Sequence, residues 1–270
     1  MTAPRVLRLP RNVHGRDFVI GDVHGAYDLV IKGMKDVEFD RRYDRLLSVG
    51  DLIDRGPESA RCLKFLRQSF TFSIKGNHEQ NLLDIYKDGD PGPELLGVFA
   101  RMFSMQWWLT TAEDDRQAIL AELAQLPVAI EIETLRGTVG MVHGDVPKGM
   151  PWATFLQKVA AGDAGVLEVA LEGRRRLEDG DLSGVDGVGR LFVGHTVQYG
   201  GAKKFGNVYA VDTGAVFNLI KGDEQCGLTI ANIAFRTEAL VNAVPRGAQN
   251  VMAIEADQHD EKPFGVYAPR

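Results

Sequence analysis

Through its first third the chain alternates short apolar runs with segments of helical period. Phe18-Val19-Ile20, Leu46-Leu47-Ser48-Val49 and Phe70 to Ile74 read as strands. Between them, Tyr27 to Val37 places Leu29, Val30, Met34 and Val37 at helical spacing, and Ser59 to Gln68 turns Cys62, Leu63, Phe65 and Leu66 to one side. Pro57 stands where a helix tolerates proline, at its first turn. Leu82 to Tyr86 continues as helix. Strands alternating with helices predict a parallel sheet.

After a break at Asp88 to Pro93, residues 94–126 are mostly of helical pattern and predict an insertion or cap. Trp107 and Trp108 lie within it. Bulk of this kind predicts packing, with a pocket wall as the alternative for one of them. Strand patterns return at Val128 to Ile132, Thr138 to Val142, Leu191 to Val193, Val208 to Val211 and Leu228 to Phe235. A polar, partly helical stretch runs from Trp152 to Leu177. Residues 1–16 read as an irregular lead-in, and the chain from Asn242 as a loosely held tail rich in prolines and charges. The expectation is one α/β domain over residues 1–240, with the insertion at about 94–126 and a C-terminal tail at 241–270.

Composition narrows the partners. The 270 residues are 44% hydrophobic and 25% charged, and the net charge is -6. That balance disfavours nucleic acid, which needs a basic face. It leaves open phosphate chemistry at a metal, where the ion brings its own charge. The two cysteines, Cys62 and Cys226, have no metal-ligand spacing and read as buried thiols of a reducing compartment. With no signal-peptide core and no run of membrane-spanning length, a cytoplasmic monomer without membrane contact is expected.

The strand ends change the picture most. Each apolar run gives way to glycine and residues of metal-ligand type. These are Asp22 with His24, Asp51, Asn77 with His78, His143, His195 and Asp212. Carboxylates, imidazoles and an amide oxygen form a mixed N/O donor set. Such a set suits Mn²⁺, Fe or Zn²⁺ better than Ca²⁺. The donors are too many for one ion and enough for two, and Asp51, between the other early motifs, is the candidate bridge. The carboxyl ends of strands are where α/β sheets bind ligands. By contrast, Asp179 to Gly184 imitates half of an EF-hand loop, but Arg190 occupies the position that needs a glutamate.

Taken together, Asp22-Val23-His24-Gly25, Gly50-Asp51-Leu52-Ile53-Asp54-Arg55-Gly56, Gly76-Asn77-His78-Glu79, His143-Gly144 and Gly194-His195 resemble the signature set of the calcineurin-like metallophosphoesterases. Within these the pattern is most similar to the phosphoprotein phosphatases in their short bacterial and phage form. The resemblance covers residues 18 to about 215. It implies two mixed β-sheets in a sandwich flanked by helices, with a dimetal site at the strand ends. Asp22, His24 and Asp51 would hold the first metal. Asp51, Asn77, His143 and His195 would hold the second, Mn²⁺ being the first choice and Fe or Zn²⁺ the others. A water activated by the two cations would attack phosphorus. His78 would protonate the leaving oxygen, with Asp54 orienting it. Arg55 would grip the phosphoryl oxygens, beside Asn77. The family's second phosphate-binding arginine is matched best by Arg174, although Arg175 and Arg176 crowd the alignment.

For the substrate, the resemblance implies phosphoserine and phosphothreonine of proteins, with phosphotyrosine or a small phosphoester also in range. The alternative is symmetrical hydrolysis of diadenosine tetraphosphate. Relatives with that activity tend to lack the aspartate at the position of Asp54 and to carry aspartate at that of Glu79. A third reading, a scaffold that binds phosphoprotein without turnover, conflicts with the complete donor set.

Overall fold

The computed structural model describes residues 3–242, 244–245, 250–256 and 264. Eleven strands form two sheets among the described residues. They are β1 (Val6–Leu9), β2 (Asp17–Ile20), β3 (Arg45–Ser48), β4 (Thr71–Ser73), β5 (Ala129–Ile132), β6 (Val139–Val142), β7 (Arg190–Val193), β8 (Lys203–Phe205), β9 (Val208–Ala210), β10 (Leu228–Asn232) and β11 (Val251–Ile254). One sheet has the order β11-β10-β2-β3-β4 and the other β1-β5-β6-β7-β9-β8. Within the first, β2, β3 and β4 are parallel. Within the second, β6, β7 and β9 are parallel. Both sheets are mixed, because β10 runs antiparallel to β2 and β5 antiparallel to β6.

Alternation along each strand sorts side chains between an inner and an outer core. Val19 and Leu47 enter the core between the sheets with Ile130, Met141, Phe192 and Val211. Their neighbours Phe18, Ile20 and Leu46 face the helices outside the first sheet. Leu191 and Val193 face Trp152, Phe155 and Val166 outside the second. Strands buried on both faces read as unbroken apolar runs, which is why these were visible in the sequence.

The first sheet is covered by α1 (Tyr27–Asp36), α2 (Cys62–Leu66), α3 (Asn77–Ile85), α4 (Pro93–Phe103), α5 (Gln106–Thr110) and α6 (Glu113–Ala124). The second is covered by α7 (Trp152–Ala161) and α8 (Ala164–Glu172), followed by the short α9 (Arg175–Glu178). A further helix, α10 (Ala215–Lys221), follows β9. The insertion, α4 to α6, packs Leu96, Ala100, Met105, Trp108, Ile119 and Leu123 into the same core as α1 to α3. No helix among the described residues is long and apolar enough to cross a membrane.

Several expectations change. The lead-in contains β1, which pairs in parallel with β5. Part of the expected loose tail is β11, paired in parallel with β10, with Met252 and Ile254 each 2% exposed. Much of the rest of that tail lies outside the described residues. The helix expected over Ser59 to Gln68 is shorter, because Ser59–Arg61 form a 3-10 turn and α2 ends at Leu66, while Pro57 lies in the turn before them. The helix expected from Leu82 starts earlier, at Asn77, so the third motif forms a helix's first turn.

Because β11 closes the edge of the first sheet, Ile254→Ala should lower unfolding stability by about 2–4 kcal/mol. Urea unfolding measures this, and a change under about 0.5 kcal/mol would place the side chain outside the core.

Candidate active site

Three loops from each sheet meet at the carboxyl ends of parallel strands. The first sheet supplies Asp22 and His24 after β2, Asp51, Asp54 and Arg55 after β3, and Asn77 and His78 after β4. The second supplies His143 after β6, His195 after β7 and Asp212 after β9. Asp22, His24, Asp51, Asp54, His78, His143, His195 and Asp212 are all buried.

The backbone is unusual here. Among the described residues the non-glycine positions of positive φ are His24, Glu38, Asp51, Asp54, Arg55, Ser104 and His195. Five of these seven are site residues. A left-handed conformation costs an ordinary residue about 1–2 kcal/mol, so it persists only where other contacts impose it.

At Asp51 the restraint comes from Glu79. Its buried carboxylate accepts the backbone N–H groups of Gly76 and Asp51 on Oε2, at 2.8 and 2.9 Å. On Oε1 it accepts those of Leu52 and Ile53, at 2.8 and 3.3 Å. At the third position of α3, Glu79 returns to the capping residue Gly76, one half of a capping box. Burial, with the charge of Asp51, pushes the Glu79 carboxyl up to about 7, against the N–H bonds that favour its ionised form. Glu79, whose identity separates the two substrate readings in sequence, aims its carboxylate at backbone.

The ring orientations are fixed by carbonyls. His24 Nδ1–H donates to the Ile53 carbonyl at 2.7 Å, and His143 Nδ1–H to that of Val49 at 2.7 Å. Each ring thereby turns its Nε2 inward, a lone pair whenever the ring is neutral. His143 Nε2 faces Asn77 Oδ1 at 3.0 Å and Asp51 Oδ1 at 3.3 Å. His24 Nε2 lies 3.4 Å from Asp51 Oδ2. Asn77 Oδ1 also meets His195 Nδ1 at 3.1 Å, while the buried Nε2 of His195 has no hydrogen-bond partner.

Two donor groups result, each within 4.8 Å: His24, Asp51 and His78, and Asp51, His143 and His195. Asp51 belongs to both. Asp22 lies outside these triads, and its carboxylate accepts the His195 backbone N–H at 3.1 Å.

The charges fit a cation. Asp22 is raised well above the usual carboxylate range by burial and by the charges of Asp212 and Asp51. Burial and the Asp51 charge also lift Asp212 to about 6. Burial opposes charge on His143, yet Asp51 outweighs it and pushes the ring up to about 10. His195 is depressed to about 3 by burial and by the His143 and Arg174 charges. Lone pairs and carboxylates crowded together in this way bind protons when no metal competes for them. Two divalent ions suit the donor set.

Around the donors, His78 Nδ1–H donates to Asp54 Oδ2 at 2.7 Å. Burial disfavours a charged His78 ring, but Asp51 and Asp54 outweigh it and raise its proton affinity. Arg55 directs Nη1 to His24 Nε2 at 2.8 Å and Nη2 to His78 Nε2 at 3.1 Å. The arginine triplet separates. Arg174 donates to the His195 carbonyl at 3.0 Å, Arg175 is exposed, and Arg176 is buried on Asp145 at 2.8 Å.

Sequence reasoning missed one contact. Trp107, read as packing, donates its indole N–H to Asp54 Oδ1 at 2.7 Å. Trp108 does pack, 0% exposed, with its own N–H on Tyr86 Oη.

The profile of the calcineurin-like phosphoesterase family matches residues 18–199. Serine/threonine-protein phosphatase 1 of Salmonella typhimurium is 34% identical over 203 residues, 74% of this chain and 87% of that protein. The symmetrical bis(5'-nucleosyl)-tetraphosphatase of Klebsiella pneumoniae is 43% identical over 72 residues, 26% of this chain and 25% of that protein. A solved structure named, provisionally, as a diadenosine tetraphosphatase superposes with a TM-score of 0.53 at 23% identity. It covers 79% of this chain and 90% of the other, a likeness of fold.

Glu79→Gln would leave one acceptor oxygen where two now gather four N–H groups. It should cost about 2–4 kcal/mol of stability. It should also weaken Mn²⁺ binding, read by urea unfolding and calorimetric titration. Unchanged values in both would show that the loop holds its shape without Glu79.

Proposed function

The chain belongs to the calcineurin-like phosphoesterase family and is a metal-dependent phosphatase, and from that premise we propose that it removes phosphate from phosphoserine and phosphothreonine in proteins. The observation that carries this reading is the extent of the match to the Salmonella serine/threonine-protein phosphatase, 87% of that protein. The tetraphosphatase relative matches over only 25% of its length. Asp54, bonded to His78 at 2.7 Å, supports the same choice. Glu79, where tetraphosphatase relatives tend to carry aspartate, supports it by identity alone, since its carboxylate is spent on backbone N–H groups.

Asp22, His24 and Asp51 would hold one divalent ion, and Asp51, Asn77, His143 and His195 would hold the second, with Mn²⁺ as our first choice. When bound, the ions supply an acidified water and positive charge opposite the phosphoryl oxygens. The chain's own residues do the rest. Arg55, whose fork already spans His24 and His78, turns its N–H groups to the phosphoryl oxygens as substrate arrives. Arg174, at the rim beside His195, adds a second cation there. His78 holds a proton at Nε2 and passes it to the leaving serine or threonine oxygen, a poor leaving group when unprotonated. Asp54 keeps the ring turned and stabilises its positive charge.

The shared 72-residue segment at 43% identity keeps symmetrical hydrolysis of diadenosine tetraphosphate as the second reading. Turnover of a phosphoserine peptide and of diadenosine tetraphosphate, each with Mn²⁺ and after chelation, separates the two. We expect the peptide to be preferred and chelation to abolish turnover. Preference for the dinucleotide would reverse the assignment.

A second experiment tests the acid. His78→Ala should retain both ions by metal analysis and lose about 10²-fold or more in kcat on alkyl phosphates. Loss of an ion would instead make His78 a ligand, as its place in the first donor triad allows.

A further inference from the structure

We propose that Trp107 of the helical insertion is a positioning residue for the leaving-group proton, acting through Asp54 on His78. The inference rests on the reading of His78 as the acid. Both oxygens of the Asp54 carboxylate are engaged. Oδ2 accepts the His78 Nδ1–H at 2.7 Å, and Oδ1 accepts the Trp107 indole N–H at 2.7 Å. Asp54 is 1% exposed and Trp107 9%, so both bonds lie away from the protein surface.

The choice of donor matters chemically. A carboxylate with one oxygen free can rotate and swing the imidazole with it. An indole N–H fixes that oxygen yet carries no charge and cannot take a proton. It therefore holds Asp54 without neutralising the negative charge that supports a protonated His78. An arginine in its place would fix the carboxylate and quench it. The indole is itself held, edge-on to Trp108 at 5.2 Å between ring centres, with Trp108 bonded to Tyr86.

The same insertion grips the next residue. The Ser104 carbonyl, between α4 and α5, accepts the Arg55 backbone N–H at 2.8 Å. Asp54 and Arg55 are both left-handed, at φ of 70° and 63°. The insertion thus touches the acid's partner and the backbone of the phosphate-binding arginine. During hydrolysis, the water oxygen bonds to phosphorus and the P–O ester bond breaks with its electron pair on the leaving oxygen. His78 Nε2 delivers a proton there, and Trp107 keeps that nitrogen aimed.

The test compares leaving groups on the manganese-loaded enzyme. Trp107→Phe keeps the ring and removes the donor. On a phosphoserine peptide kcat should fall about tenfold or more, and on p-nitrophenyl phosphate less than about threefold, because nitrophenolate leaves unaided. KM should be unchanged on both. In combination with Asp54→Asn the losses should be less than additive, since both changes remove one function.

Equal losses on the two substrates, or additive losses, would overturn the proposal. His78→Ala separates its failure from that of the acid assignment. If His78→Ala shows the leaving-group dependence and Trp107→Phe does not, Trp107 has no positioning role and the acid stands. If neither shows it, the acid assignment fails and the proposal fails with it. Should Trp107→Phe not fold, exchange of the Trp107 indole proton decides by NMR. Slow exchange in the intact protein that quickens in Asp54→Ala supports the bond, and fast exchange or no change overturns it.

Discussion

The centre of this molecule depends on the buried carboxylate of Glu79 and the four backbone N–H groups it gathers. After β3 the chain leaves the sheet, and its N–H groups lose their ladder partners. A buried N–H without a partner costs about 1–3 kcal/mol, more than a left-handed residue does. One acid that accepts three of them, and that of Gly76 after β4, makes the left-handed turn at Asp51 the cheaper path. Two glycines make room. A Cβ on Gly76 would lie 2.2 Å from Asp51 Oδ1, and one on Gly50 would lie 2.6 Å from the Gly76 nitrogen. The position of Asp51, shared by both donor groups, follows from this packing of backbone against one carboxylate.

The donor set is split between the sheets. Asp22, His24, Asp51 and Asn77 come from one, and His143, His195 and Asp212 from the other. The core between the sheets, with Val49, Ile74, Met141 and Phe192, therefore sets the distance across the site. The loops come close enough that a Cβ on Gly194 would lie 2.2 Å from Asp22 Oδ1. Burial raises Asp22 and Asp212 by stripping their carboxylates of water, and neighbouring carboxylates add repulsion, a cost the closed sandwich carries until a cation neutralises it. Folding and metal binding are coupled through the same contact.

What was legible in the sequence follows the same physics. Strands buried on both faces appear as unbroken apolar runs, and the glycine-ligand pairs at their ends appear as motifs, so six strand ends could be read, and the family resemblance those motifs carry implied the sandwich. The edges could not. Arg8 of β1 is exposed, and β8 has two exposed lysines in three residues. Pairing of β1 with β5 and β11 with β10 is set by distant contacts, not local pattern. Neighbours on helices also misled. Consecutive helical residues point about 100° apart. His78 therefore faces the donors while Glu79, next to it, faces backbone. Arg174, Arg175 and Arg176 likewise diverge to the site rim, to solvent and to Asp145. Trp107 escaped because an indole that packs and an indole that donates look alike in sequence.

The turn after β3 is longer than one carboxylate can hold. Glu79 reaches Asp51, Leu52 and Ile53, whereas the chain turns left-handed again at Asp54 and Arg55, beyond its reach. Their restraint comes from the Ser104 carbonyl on the Arg55 N–H and the Trp107 indole on the Asp54 side chain. The turn thus has two anchors of different origin. One is the first turn of α3, continuous with the donors themselves. The other is the helical insertion, which contributes no donor atom to either metal group. A change in the insertion bears on Asp54 and Arg55 without removing an atom from either donor group. The restraint on Asp54 and Arg55 is in that sense separate from the restraint that Glu79 places on Asp51.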